Sequence, residues 1–307
     1  MEKPSEFPFK AIAIVGSTAS GKTEIAVKLA RKIREKGREV ELISADSRKV
    51  YKYFDIGTAK PIDYLEEFRW HFINVIEPYE RFSAKKFEEL GREIISRMRS
   101  EGKIPIVVGG TWLYIRALEL GFFDEGENST LREELEKKLA QEGKEKLFEF
   151  LKSIDPLSAK KINPNDTYRV IRAIEVKIKT GRSISEIGFK DIFPLLKFGI
   201  YRSKEDILER IKKRVMKQIN MGLIEETRRL REMFGETTPL LKSIAYYEPY
   251  LYITGKITFD DMVKLMIRRN FRYSRYQVKV FSREGTIWFQ KEQDMINFIF
   301  DICIRFF

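Results

Sequence analysis

The chain has 307 residues, 43% hydrophobic and 34% charged, enough for one large domain or two modest ones around buried cores. Its single cysteine, Cys303, excludes an internal disulfide framework and a cysteine-built zinc site, and no apolar run approaches the ~18 residues of a membrane span. The formal charge of +12 fits polyanionic partners or a Lys/Glu-rich solvated surface and says nothing of fold.

The first ten residues, MEKPSEFPFK, hold no apolar signal-peptide core, and one lone cysteine suits a reducing compartment. A cytoplasmic protein is expected. Ala11–Val15 is a buried-strand pattern, followed by GSTASGKT (residues 16–23) and a helix to about Arg34. Val40–Ser44 predicts a second strand and His71–Val75 a third. Ser83 is placed to cap a long helix ending near Gly102, and Ile104–Gly110 predicts another strand. Such alternation argues for a parallel sheet covered on both faces. From Gly126 to about Phe193 the chain becomes Lys/Glu-rich, helical in period and poor in strand signals. Leu196–Tyr201 and Thr286–Phe289 predict returning strands, and the C-terminal MINFIFDICIRFF reads as a packing helix. The expected organisation is an α/β, P-loop NTPase-like sheet flanked by helices. Residues 1–123 form the first part of its core, 124–195 an all-helical insertion, and 196–307 the completion of the core.

GSTASGKT fits G-x-x-x-x-G-K-[ST] between a strand and a helix. Gly16 and Gly21 allow a tight turn, so that amides from Ser17, Thr18, Ala19 and Ser20 converge on phosphate oxygens at a helix N-terminus. Lys22 adds a point charge and Thr23 a hydroxyl suited to Mg²⁺. Phosphate binding follows; triphosphate cleavage does not. A phosphotransferase of this architecture usually carries an Asp at the end of a neighbouring apolar strand, whereas IPIVV ends in Gly109-Gly110-Thr111. An acid does follow the second strand: Asp46, either a ligand-edge carboxylate or a turn-forming cap.

A second feature is the basic stretch 264–283, which holds seven Lys or Arg and no acid. Arg268, Arg272, Arg275 and Lys279 recur at helical spacing and form one cationic stripe suited to a phosphate backbone. Phe271, Tyr273, Tyr276 and Phe281 interleave with them, as core or as stacking platforms. His71, the one histidine, reads as structural, and no histidine base lies near the serines of SADS to activate them.

Taken together these motifs resemble the tRNA dimethylallyltransferases. The resemblance rests on GSTASGKT, ISADSRKVYKYFDIGTAKP (44–61), RFSAKKF (81–87), IPIVVGGTWLYIRAL (104–118), INPNDTYRVIRAIEV (162–176) and SIAYYE (243–248), which occur in the family's order and span most of the chain. DIGTAKP and GGTWLY are far more specific than the phosphate loop. The resemblance implies transfer of a five-carbon prenyl group from dimethylallyl diphosphate to the exocyclic amine of the adenosine 3′ of the anticodon. It implies that Lys22 and Thr23 hold the diphosphate and Mg²⁺, that Asp46 accepts a proton from the amine or hydrogen-bonds it, that Thr111 hydrogen-bonds nearby, and that Arg214 neutralises the departing pyrophosphate. It also implies RNA contacts at Asp46, Ser47, Arg48, Lys49, Thr111, Lys242 and Gln277, beside those of the stripe. Arg169 and Arg172, three apart on one predicted helix, are the candidate anticodon-arm contacts of the insertion. A monomer acting on tRNA without a membrane is expected.

Departures from the family pattern are Ser17 for Pro, Lys49 for Gln, Ala245 for Gly, Tyr247 for a basic residue and Val280 for Trp. They bear mostly on RNA contact, and the zinc finger of eukaryotic relatives is missing. Two rivals stand beside this reading. One is a small-molecule P-loop enzyme, a kinase or an adenylate prenyltransferase. The other is an RNA-binding NTPase without transfer chemistry.

Overall fold

The computed structural model describes residues 7–121, 129–184, 186, 192–236 and 238–307. The chain forms two compact units, residues 1–120 with 193–307, and residues 121–192. The expected join at 123/124 lies outside the described residues. The expected join at 195/196 falls inside a strand that begins at Leu195.

In the first unit, β1 (Ala11–Val15), β2 (Val40–Ala45), β3 (Trp70–His71), β4 (Ile104–Gly109), β5 (Leu195–Ile200) and β6 (Ile287–Phe289) form one sheet in the order β3-β2-β4-β1-β5-β6. Every pairing is parallel. The strands β1, β2 and β4 are buried along their whole length, the signature of a sheet covered on both faces. One face packs Ile12, Ile14, Leu42 and Ile106 against α1 (Lys22–Arg34) and the C-terminal helix, with Met295, Ile299 and Cys303 buried there. The other packs Ala13, Val15, Ile43 and Val107 against α2 (Ala84–Ser100) and α3 (Trp112–Leu120).

The expected strand over 71–75 is corrected: β3 stops at His71 because Phe72 and Asn74 take φ of 62° and 57°. Left-handed residues cannot continue a pleated strand. His71 hydrogen-bonds the buried Glu41 at 2.6 Å, and Lys103 donates to the same carboxylate at 3.0 Å. The His71–Glu41 contact joins β3 to β2, the strand it pairs with.

The second unit is helical throughout its described part: α4 (Ser129–Ile154, broken at Gly143), α5 (Pro156–Ala159) and α6 (Thr167–Thr180). Leu135, Leu147, Leu151, Val170, Ile171 and Ile174 make its own core. The chain then returns through β5 to α7 (Lys204–Asn220), α8 (Leu223–Phe234), α9 (Tyr247–Ile253), α10 (Phe259–Phe281), β6 and α11 (Glu292–Phe306). Helices α7 to α10 share a third core in the first unit, around Ile211, Val215, Leu230, Tyr246 and Met266.

Candidate active site

Three strand ends meet at the carboxyl edge of the sheet, where open α/β folds bind ligands. β1 runs into Gly16, β2 into Asp46, and β4 into Gly110 and Thr111. The approach is too close for side chains. A Cβ at Gly109 would lie 2.1 Å from the Ala45 carbonyl oxygen, and one at Gly110 would lie 3.1 Å from that of Gly16. The paired glycines of GGT are therefore a packing requirement. They bring the segments after β2 and β4 close to the phosphate loop.

In that loop Gly16 and Gly21 take φ of 131° and 98°, and Ala19 sits at 61°. Ser17 turns its carbonyl inward, where it accepts the Ser20 hydroxyl at 2.8 Å and the Lys22 ammonium. Helices α2, α7 and α10 begin on Ser83, Ser203 and Thr258, whose side chains accept amides at 3.1–3.2 Å. The first turn of α1 begins instead on Gly21 and has no side-chain cap. Its amides face outward as an anion site. The Thr23 hydroxyl makes no hydrogen bond to protein among the described residues.

Lys22, Lys49 and Arg214 converge here. Burial, then the charges of Lys49 and Arg214, push the Lys22 ammonium down to about 7, against the opposing pull of Asp46. Lys49 and Arg214 are likewise held below their ordinary values by burial, opposed by Asp46. Three half-buried cations with two acids, Asp46 and Glu24, in range leave an excess of positive charge suited to an anion.

Asp46 accepts the Arg48 amide at 2.9 Å and keeps its other oxygen uncommitted. The Thr111 hydroxyl accepts the Ser47 amide at 3.1 Å and lies 3.5 Å from the Ser47 hydroxyl, so that 46–47 and 111 form one small polar wall. Opposite stands Tyr273 of α10, whose phenol is pushed up to about 12 by burial and by the charge of Asp46. Its ring stacks on Tyr276, which is 47% exposed.

Along α10, Arg268, Arg272, Arg275 and Lys279 are all exposed, and none pairs with an acid among the described residues. Lys242 and Arg48 are also exposed. Two side chains expected to contact RNA are turned toward the protein interior. Gln277 is 3% exposed and spends its amide inside the protein, accepting from the Thr18 amide at 2.7 Å and donating to the Gly110 carbonyl at 2.8 Å. Neither its side chain nor the Thr18 amide is then free for RNA or phosphate. Arg172 is half-buried and bonds Glu175 at 3.3 Å, a carboxylate sealed inside the helical unit beside Arg132. It serves that unit's core. Arg169 is exposed and pairs locally with Asp166 at 3.3 Å.

Comparison with known proteins decides the family. A family model described as IPP transferase matches residues 49–284. The chain belongs to the IPP transferase family. A tRNA dimethylallyltransferase of Finegoldia magna is 39% identical over 96% of each chain. The full-length tRNA isopentenylpyrophosphate transferase of Bacillus halodurans, a crystal structure, is 31% identical, with a TM-score of 0.68 over 96% of this chain and 98% of that one. A eukaryotic dimethylallyltransferase acting on tRNA gives a TM-score of 0.72 at 29% identity, over 88% of this chain and 69% of that one.

Sequence reasoning passed over a second group in this family member. DIGTAKP (55–61) is held by residues far along the chain. Glu226 accepts the amides of Ile56 and Gly57 and the Tyr246 hydroxyl, at 2.6–3.2 Å. Gln218 donates to the Ile56 and Gly57 carbonyls at 2.8 and 2.9 Å. A signal existed: Gln218 follows Ile207, Ile211 and Val215 on one apolar stripe, and Glu226 stands between Leu223 and Leu230 on another. A polar residue on a buried stripe is held there by a partner.

Proposed function

We propose that the chain transfers a dimethylallyl group from dimethylallyl diphosphate to N6 of the adenosine 3′ of the anticodon in tRNA. The observation that carries this reading is an acid, Asp46, facing three cations and an uncapped helix terminus across the end of one sheet. In this reading the diphosphate lies on the first amides of α1, and Lys22 and Arg214 take the charge that develops as the C1–O bond breaks. The amine nitrogen forms the new bond to C1, and its proton passes to Asp46, since an aromatic amine is a feeble nucleophile until deprotonated. Thr111 and Ser47 position the adenine edge. A base in the stack is out of reach, so the target nucleotide must be extruded.

The residues present fit a divalent cation brought with the diphosphate. No cluster of three acids, His or Cys exists among the described residues to cage a metal. The Thr23 hydroxyl, which makes no bond to protein among the described residues, would be the protein group to hold Mg²⁺. Bound Mg²⁺ would stabilise the leaving diphosphate. RNA would follow the α10 stripe, with Lys242, Arg48 and, in the helical unit, Arg169 as further phosphate contacts. Labelled dimethylallyl diphosphate incubated with bulk tRNA, AMP or neither is the test. Label on tRNA alone is expected; label on AMP returns the small-molecule rival, and no transfer returns the NTPase.

A further inference from the structure

The amide of Gln277 occupies a position that the transfer reaction as outlined does not use. It joins three elements. Its oxygen accepts from Thr18 in the donor loop, and its nitrogen donates to Gly110 at the start of the acceptor wall. The Tyr273 phenol, beside Asp46, lies against the same amide. A donor facing a carbonyl and an acceptor facing an N–H leave one orientation for the side chain. The space is closed as well: a Cβ on Gly110 would stand 2.3 Å from the Gln277 nitrogen.

Gln277 also belongs to the helix that carries the cationic stripe. Met262, Met266, Asn270, Ser274, Gln277 and Phe281 are its buried face. Arg268, Arg272, Arg275 and Lys279 lie on its exposed face. One rigid helix thus holds phosphate-binding cations outward and the Thr18–Gly110 bridge inward. A shift of α10 as RNA docks would reach both loops through this buried amide.

We propose that Gln277 is a positioning residue that couples RNA docking on α10 to the geometry of the diphosphate loop. Diphosphate and RNA then bind cooperatively, and by linkage each tightens the other by the same factor. The inference rests on the transferase reading for the identity of the two ligands, while the coupling itself is measured without turnover. The probe is inorganic pyrophosphate with Mg²⁺, titrated into the full chain with and without an anticodon stem-loop RNA. In the unaltered protein RNA is expected to tighten pyrophosphate by ~5-fold or more.

Gln277→Glu keeps the shape but cannot donate to Gly110, and Gln277→Met keeps the length without either bond. Both are expected to bring the coupling factor to about 1 while RNA affinity and its salt slope stay within ~2-fold, because the stripe is untouched. Single-turnover transfer at saturating ligands is expected to fall ~10-fold, the size of one or two lost buried hydrogen bonds. Gly110→Ala, which drives the amide out from the other side, is expected to give the same pattern and serves if a Gln277 variant fails to fold. A coupling factor of 1 in the unaltered protein overturns the proposal. So does a factor that survives in the variants, or RNA affinity that falls with pyrophosphate affinity unchanged. A protein that shows coupling but transfers no prenyl group would sink the transferase reading and leave the role of Gln277 standing.

Discussion

Two loops on the same sheet edge treat their polar groups in opposite ways. In the loop at 55–60 every charge is spent. Lys60, fully buried, bonds Asp55 at 2.6 Å and also the Tyr51 carbonyl and Asn74. Glu226 gathers amides and a phenol. The loop at 16–23 leaves a row of amides uncapped and three cations under-neutralised. Both stretches are sequence motifs, and the more specific of the two is the internally satisfied one. Motif specificity therefore does not separate scaffold from site; unspent polar groups do, because burying them without a partner is costly unless a ligand completes them.

The sharpest way to break this contrast is at Asp46. Asp46→Asn keeps shape and hydrogen bonding but cannot accept the amine proton, so turnover is expected to fall by ~10²–10⁴. Affinities for pyrophosphate and RNA are expected to move no more than a few fold, the mark of an interaction made only in the transition state. Single-turnover rates across a Mg²⁺ titration check it. Rescue by added metal would make Asp46 a metal-positioning group instead.

Against that stands the satisfied loop. Glu226→Ala removes the carboxylate that accepts three backbone amides, of Asp55, Ile56 and Gly57, and the Tyr246 hydroxyl, which costs about 3–5 kcal/mol of stability by urea unfolding. Transfer per folded molecule is expected to stay within a few fold. A variant that is stable yet inactive would move the 55–60 loop into the site.

Lys22 gives the contrast a pH signature. Its free-state pKa of about 7 lies well below the ordinary lysine value, and a bound diphosphate supplies the anion that raises it. Binding favours the charged ammonium. Pyrophosphate affinity should therefore be greatest below pH 7 and fall as pH rises above it, by at most ~10-fold per unit for one coupled proton. Calorimetry in two buffers of different ionisation enthalpy should register proton uptake near pH 8. Lys22→Met should weaken binding, abolish the uptake and flatten the pH profile. Uptake that persists in Lys22→Met would assign the proton elsewhere.

The stripe on α10 extends the comparison to a surface that spends none of its charge. Replacing Arg268, Arg272, Arg275 and Lys279 together by Ala should lower the slope of log K against log salt by ~0.9 per lost phosphate contact, or ~0.7 on single-stranded segments. An unchanged slope would make the stripe ordinary solvated surface.

The centre of the sheet was legible because β1, β2 and β4 are buried along their whole length and so written as nearly continuous apolar runs. Ala11–Val15 is such a run, and the strand found there has those bounds. His71–Val75 failed because left-handed Phe72 and Asn74 are set by tertiary packing, which a propensity reading does not contain. The convergence of Lys22, Asp46 and Thr111 could be anticipated because each lies in a segment that follows a strand end. Gln277 sits among arginines in sequence, yet in register it belongs with the buried Met266, Asn270 and Ser274. The burial of Arg172's partner Glu175 is likewise hidden by local spacing that looks like any solvated i,i+3 pair.

The smallest effect is expected at Ala245, where the family pattern has glycine. Its φ of 78° is in the left-handed region, and its side chain is 4% exposed, next to the Tyr246 that closes the satisfied loop. Ala245→Gly relieves a Cβ clash worth about 1–2 kcal/mol. Against this, glycine costs about 0.5–1 kcal/mol in extra backbone entropy on folding, and removing a buried methyl forfeits roughly 0.8 kcal/mol. The terms cancel, so the expected change is within about 0.5 kcal/mol of zero by chemical unfolding, with transfer unaffected. That balance explains in physical terms how an alanine persists where a glycine is the local solution. A gain above ~1 kcal/mol would mean the strain is larger than the left-handed penalty, relieved nowhere else in the Tyr246 clamp. A comparable loss would mean the methyl is a packing element of the core around Leu240 and Tyr246, and that the satisfied loop depends on it.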